Sequence, residues 1–296
     1  MTQETEHSNQ NLDTSHDVEE LLGEDLHQET EHEVHTEHAE HEHSLFAEPL
    51  FNVGGFTVTN SLLTSWIAVF LIIILSVIIR KKLSKVPSKF QSFMETVVEG
   101  AYGMMDMVTN DRKKSERIFP VIFSLFIFVL INNWLGLFPG LGSITYNGTA
   151  LFRGGTADLN TTLALGLFSV IAANIFGIIV VGGWTWFNKF INLKTMMDIP
   201  RKFTKEPTVA LINPINFFVG LVEVISEVAK IASLSFRLFG NVFAGEVLLA
   251  SIAAMVAYGV PLPFMFLELI VGIIQALIFS ILTLVYFTIA STEHEH

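Results

Sequence analysis

Residues 215–257 read INFFVGLVEVISEVAKIASLSFRLFGNVFAGEVLLASIAAMVA, 43 residues with no proline, apolar almost throughout, yet carrying Glu223, Glu227, Lys230, Arg237 and Glu246. As one helix the stretch is about 65 Å long, against a hydrocarbon core of about 30 Å. It must break, project into water, or cross at roughly 60° to the membrane normal, where spanning helices average about 20°. Each charge at that depth costs roughly 2.5–3.5 kcal/mol on insertion scales. Glu227 and Lys230 stand three apart and can neutralise one another locally. Arg237 has no such recourse, since the positions three and four away are Leu234, Ser233, Gly240 and Asn241. A guanidinium does not lose its proton in a protein. Its charge therefore requires a partner from another helix or another subunit.

Helical geometry orders the polar residues. At about 100° per residue, Glu223, Ser226, Lys230, Ser233, Arg237 and Asn241 fall on one broad face. Glu246, nine positions beyond Arg237, points to the opposite side. In the following apolar stretch Glu268 and Gln275 are seven apart and share a face. Counted from the turn near Val260 at the steep tilt, Glu268 lies ~6 Å below the outer surface, Glu246 and Gln275 ~11 Å, Arg237 ~17 Å and Glu223 ~28 Å. Such an order suggests proton or cation transport by two offset half-paths.

Working outward, the chain is a series of apolar runs. Expected membrane spans are 62–79, 118–138, 159–187, 209–257 and 261–290, the last two forming a long, steeply tilted hairpin around Gly259, Pro261 and Pro263. An amphipathic surface helix is expected over 88–108, where Phe90, Phe93, Met94, Val97, Val98, Ala101, Met105 and Val108 recur at helical spacing. The expected fold is thus an all-α integral membrane protein over 49–296. Basic residues cluster after the first span (Arg80, Lys81, Lys82, Lys85, Lys89, Arg112, Lys113, Lys114, Arg117) and after the third (Lys189, Lys194, Arg201, Lys202, Lys205), while only Arg153 lies between the second and third. The positive-inside rule then places the N-terminus outside and the C-terminus in the cytoplasm.

Of the 296 residues 51% are apolar and 16% charged, the mean hydropathy is +0.52, and the formal charge is −12. That charge is concentrated: residues 1–48 hold 15 Asp/Glu and no Lys/Arg, whereas the rest holds 14 acids against 17 bases. The 1–48 segment cannot bury enough apolar surface to fold and is expected to be a disordered Glu/His-rich tail. Within it His32, His35, His38, His41 and His43 alternate with carboxylates, a pattern capable of weak Zn²⁺ or Ni²⁺ binding, though composition favours a merely solvated tail. The absence of cysteine excludes disulfides and thiolate chemistry.

The run Ser233-Leu234-Ser235-Phe236-Arg237-Leu238-Phe239-Gly240-Asn241-Val242-Phe243-Ala244-Gly245-Glu246 resembles the signature of subunit a of F-type ATP synthases. Asn213-Pro214-Ile215-Asn216 and Glu223 upstream fit the same family, as do Glu268, Gln275-Ala276 and Leu282-Thr283-Leu284-Val285-Tyr286 downstream. The resemblance spans roughly 58–292 and is dense over 213–290. It implies a stator subunit in the plasma (inner) membrane of a bacterium, working against a rotating ring of c subunits and held by b-type peripheral stalk subunits and the remainder of the ATP synthase. Arg237 would separate two half-channels. Glu246, Glu268, Gln275 and Asn241 would border the outer one, with a contribution from Asn133, and Glu223 and Ser226 the inner one. Many bacterial members carry histidine where this chain has Glu268, which speaks against a histidine relay here.

An ion-coupled secondary transporter is the main rival, since it too places ionisable groups at the bilayer midplane. Such proteins often show internal repeats, and none relates the first three spans to the last two. A G-x-x-x-x-G-K-[ST] loop is absent, so no nucleotide site, and hence no catalysis by this chain, is expected. No cofactor and no nucleic-acid partner is expected either.

Overall fold

The structure, a computed structural model, describes residues 47–84, 87–138, 140, 144–146, 149–184, 186, 209–256 and 259–292. Residues 1–46, all but the last two of the Glu/His-rich tail and including its metal-binding pattern, lie outside them, as do residues 187–208 with the second basic cluster. Six α-helices are described: α1 (Asn60–Lys82), α2 (Lys89–Thr109), α3 (Arg112–Leu137), α4 (Leu159–Val181), α5 (Val209–Met255) and α6 (Pro261–Ala290). All but α2 are long and apolar enough to cross a membrane. Short polar side chains start several of them by accepting otherwise unpaired amides: Thr59 from Leu62 N–H, Asp111 from Lys113 N–H, and Asp158 from Asn160 N–H. Asn110, in the left-handed region at φ 52°, closes α2 through its N–H on the Asp106 carbonyl.

Several boundaries differ from the sequence expectation for identifiable reasons. The second span starts six residues early, at Arg112, because the Asp111 cap nucleates helix through the basic cluster before the apolar run begins. The third ends at Val181, where Gly182 adopts φ 95°, rather than running to 187. A β-hairpin precedes α1 and was not expected: β1 (Pro49–Val53) pairs antiparallel with β2 (Phe56–Thr59) around Gly54 and Gly55, both at positive φ. Between α3 and α4 lie two short paired strands, β3 (Thr145–Tyr146) and β4 (Thr149–Ala150), and a 3₁₀ turn at Gly155–Ala157.

Two apolar clusters hold the bundle together. Leu125 and Val129 of α3, Val170 of α4, Leu234 and Leu238 of α5, and Ala276 and Phe279 of α6 form one. The other joins Met105 of α2 to Ile118, Ile122, Ala173, Leu284 and Phe287. The apolar stripe of α2 is accordingly shared. Met105 is buried in the chain's own core and Val108 packs against it, while Phe90, Phe93 and Val97 stay exposed. Large apolar side chains such as Phe70, Phe168, Ile179 and Phe266 are also exposed, as expected of surfaces that meet lipid rather than water.

The connection from α3 to α4 is pinned at its polar residues. Asp158 is 4% exposed and accepts from the Ser61 and Thr161 hydroxyls at 3.1 and 3.2 Å. Asn60 donates to the Ala150 carbonyl, and Ser65 to Asn132 Oδ1. A Cβ at Gly155 would collide with the Asn132 and Ser65 side chains, so only glycine lets the 3₁₀ turn seat there. These contacts fix Arg153 and Gly154 beside the α5–α6 hairpin.

Candidate functional site

Arg237 sits on the exposed side of α5, eighteen residues before its end. Its neighbours Leu234 and Leu238 are buried, at 1% and 0% exposure, so the helix is firmly seated while the guanidinium faces away from the bundle. Among the described residues it has no hydrogen-bond or ion-pair partner. The counter-ion demanded by the sequence is not supplied by the described part of this chain.

Lys230 behaves oppositely. Its Nζ lies 2.7 Å from Glu227 Oε1 and stands over the Tyr286 ring at 5.6 Å. Asn174 of α4 donates to the other oxygen of Glu227 at 3.0 Å and accepts from the Trp186 indole N–H. The anticipated i,i+3 pair therefore forms, and it anchors α5 to α4 and α6. Lys230 leaves the line of polar residues that runs past Arg237. Along that line Ser233 is exposed, and Glu223, Ser226 and Asn241 are partly exposed, with the Ser226 hydroxyl donating to the Val222 carbonyl.

On the other face of α5, Glu246 meets the α3–α4 connection. Arg153 Nε lies 3.3 Å from Glu246 Oε2, with the two side chains only 12% and 17% exposed. A Cβ on Gly154 would stand 3.2 Å from Glu246 Oε1, so the loop backbone closes over the carboxylate. Glu268 approaches from α6: its carboxyl lies where a Cβ of Gly245 would be, so any larger residue there would push that side chain aside. The carboxyls of Glu246 and Glu268 therefore lie beside the same stretch of α5. Two turns along from the Gly245–Glu268 contact come Leu238 and Gln275. Gln275 is 5% exposed, and its Nε2 is buried without a hydrogen-bond partner among the described residues.

Asn133 is buried between these groups, but its amide is committed at both ends. It donates to the Gly272 carbonyl at 3.1 Å and accepts from the Thr156 hydroxyl at 2.7 Å. It braces α3, the 3₁₀ turn and α6 together. No cluster of three or more metal-ligating side chains occurs among the described residues.

Sequence reasoning missed Arg153, whose partner lies 93 residues away, because helical periodicity relates only near neighbours. A signal was present: a lone base in an otherwise base-free connection, followed by Gly154-Gly155.

A sequence profile described as ATP synthase A chain matches residues 62–288, most of the chain and every element of the site. The chain belongs to the ATP synthase A chain family. Its relatives agree along nearly their whole length. ATP synthase subunit a of Syntrophobacter fumaroxidans is 33% identical over 258 residues, covering 86% of this chain and 93% of the relative. The proteins of the same name from Trichlorobacter lovleyi and Moorella thermoacetica are 32% and 30% identical, covering 80% and 83% of this chain and 89% and 96% of their own lengths. With five helices able to span a membrane, this member of the family is a multi-pass membrane protein and a component of the ATP synthase complex. The secondary-transporter reading is not favoured.

Proposed function

We propose how this stator subunit of the Fo proton channel moves its ion. Arg237 faces the ring of c subunits and borrows as counter-ion the membrane carboxylate that each ring subunit presents. The guanidinium stays charged and so cannot pass a proton between half-channels. It favours the ionised form of the approaching carboxylate, which gives its proton to the inner path. Once rotated away, that carboxylate faces lipid, where an isolated charge is costly, and it must first be neutralised by a proton from the outer path. Rotation and proton uptake are thereby coupled. The potential supplies about 2.3 kcal/mol per charge per 100 mV.

Glu246 and Glu268, side by side at the hairpin, are the outer relay, and Gln275 and Asn241 lead from them to the level of Arg237. Asn133 holds the wall of this path. Glu223 and Ser226 line the inner path. The N-terminus lies outside and the C-terminus in the cytoplasm, as the basic ends of α1 and α3 favour, and b-type stalk subunits hold the stator in place. The chain itself binds no nucleotide and performs no catalysis. What carries this reading is the exposed guanidinium midway along an apolar helix, without a partner among the described residues. Arg237→Ala in inverted vesicles should abolish ATP-driven acidification while the soluble sector continues to hydrolyse ATP. Unchanged acidification would refute it.

A further inference from the structure

Arg153 lies in the connection between α3 and α4 and reaches Glu246 across 93 residues of sequence. The placement is built, not incidental. Asp158 is anchored by Ser61 and Thr161, Thr156 by Asn133, and Gly155 against Asn132 and Ser65. Together these contacts hold the loop rigidly over the carboxylate. Both partners are nearly buried, so solvent screening of the pair is weak.

We propose that Arg153 is a positioning residue of the outer half-channel, holding the Glu246 carboxylate turned to the 153–155 loop until a proton arrives from the outer water. The charged groups facing Glu246 are Arg153 from the loop and Glu268 from α6, and these act in opposite directions. Asp158, on the same connection, is directed instead at Ser61 and Thr161. When Glu246 takes a proton it becomes a neutral acid and loses its attraction to the guanidinium. The side chain is then released from the loop and can donate that proton onward, returning to Arg153 as a carboxylate. Arg153 exchanges no proton at any stage. Its permanent charge makes it a fixed cation in the outer path, as Arg237 is a fixed cation between the paths.

The inference rests on Glu246 being an outer relay. Its test is passive proton flux through the whole membrane sector, stripped of the soluble sector, in vesicles driven by a potassium diffusion potential. Flux from the outer face is measured as the pH on that face is varied. A carboxylate beside an arginine is acidified by about 1–3 pH units. In Arg153→Gln, the pH at which flux falls to half should therefore move upward by about that much. Arg153→Lys, which keeps the charge but not the fork, should shift it by less, and Arg153→Gln/Glu246→Gln should behave like Glu246→Gln alone.

Equal reduction of flux at every pH in Arg153→Gln, with the midpoint unmoved, would overturn the proposal, leaving Arg153 as a loop anchor only. If Arg153→Gln does not assemble, the double variant decides. Removing one partner leaves a buried charge, and removing both does not, so assembly restored by the double substitution supports the pairing and continued failure overturns it. Flux that does not change in Glu246→Gln would refute the relay reading itself, and this inference with it. A loss in Glu246→Gln alongside an unmoved midpoint in Arg153→Gln would sink the Arg153 role alone.

Discussion

Two arginines lie in or beside the α5–α6 hairpin, and their surroundings could hardly differ more. Arg153 is 12% exposed in its side chain, with Glu246 on the facing helix and a loop backbone folded around the pair. Arg237 stands exposed on the outer face of α5, with no partner among the described residues. Burying a charge is tolerable when its counter-charge is near and correctly oriented. The first arginine meets that condition inside its own chain and so organises structure. In the proposed function the second meets it only when another chain arrives, and so would sense that chain's passage. A residue's electrostatic debt, and which molecule settles it, separates a positioning group from a coupling group here.

The largest effect should come from Arg237. Arg237→Ala is expected to eliminate ATP-driven pumping, and Arg237→Lys to rescue little of it, since lysine can discharge on burial. Substantial pumping by either would erase the contrast between the two arginines. Next comes Gly245→Ala, whose new methyl group would fall on the Glu268 carboxyl. The carboxyl is the far end of a flexible side chain and can swing aside, so slowed pumping with little change in melting temperature is expected. Unchanged pumping would mean that this contact plays no part in the outer path. Glu246→Gln and Glu268→Gln should each leave partial pumping, roughly a few-fold down, because water can bridge a missing relay group. Full pumping in both would reduce the pair to structural carboxylates.

The smallest effect lies far from the channel, at the α2–α3 corner. The Ser115 hydroxyl and then Arg112 hold the Asp106 carboxyl below its usual value of 3.8. Arg112 Nη1 stands 2.8 Å from Asp106 Oδ2. A carboxyl depressed in the folded state contributes stability above its unfolded value, and that contribution fades as pH falls through the folded one. Asp106→Asn should therefore be slightly less stable than the parent at pH 7, the difference vanishing in strong acid. Melting curves at both ends check this, and a difference that grew toward low pH would reverse the assignment. The site is exposed, so the effect is small.

Much of this architecture was legible because membrane helices announce themselves. Long apolar runs located five spans, and the last began and ended where expected, at Pro261 and Ala290. Errors fell where local chemistry overrides hydropathy. Asp111 starts a helix inside a basic cluster, and Gly182 stops one inside an apolar run. The hairpin at 49–59 was missed because two adjacent glycines, not an apolar pattern, define it. In the site, Arg237 was legible since its lack of helical neighbours is a property of sequence. Arg153 with Glu246, the side-by-side glutamates, and the fully committed amide of Asn133 were not, for each depends on how distant segments meet.

The chain's freedom from cysteine makes one experiment especially clean. Ser233 is exposed one turn before Arg237 on the same face, whereas Ser235 is fully buried against Gly166 of α4. In otherwise intact ATP synthase, Ser233→Cys should form a disulfide with a cysteine placed one turn from the c-ring carboxylate, and Ser235→Cys should not. If the active complex yields no cross-link from position 233 under oxidation that cross-links other faces of α5 to the ring, Arg237 does not face the rotor and the account fails.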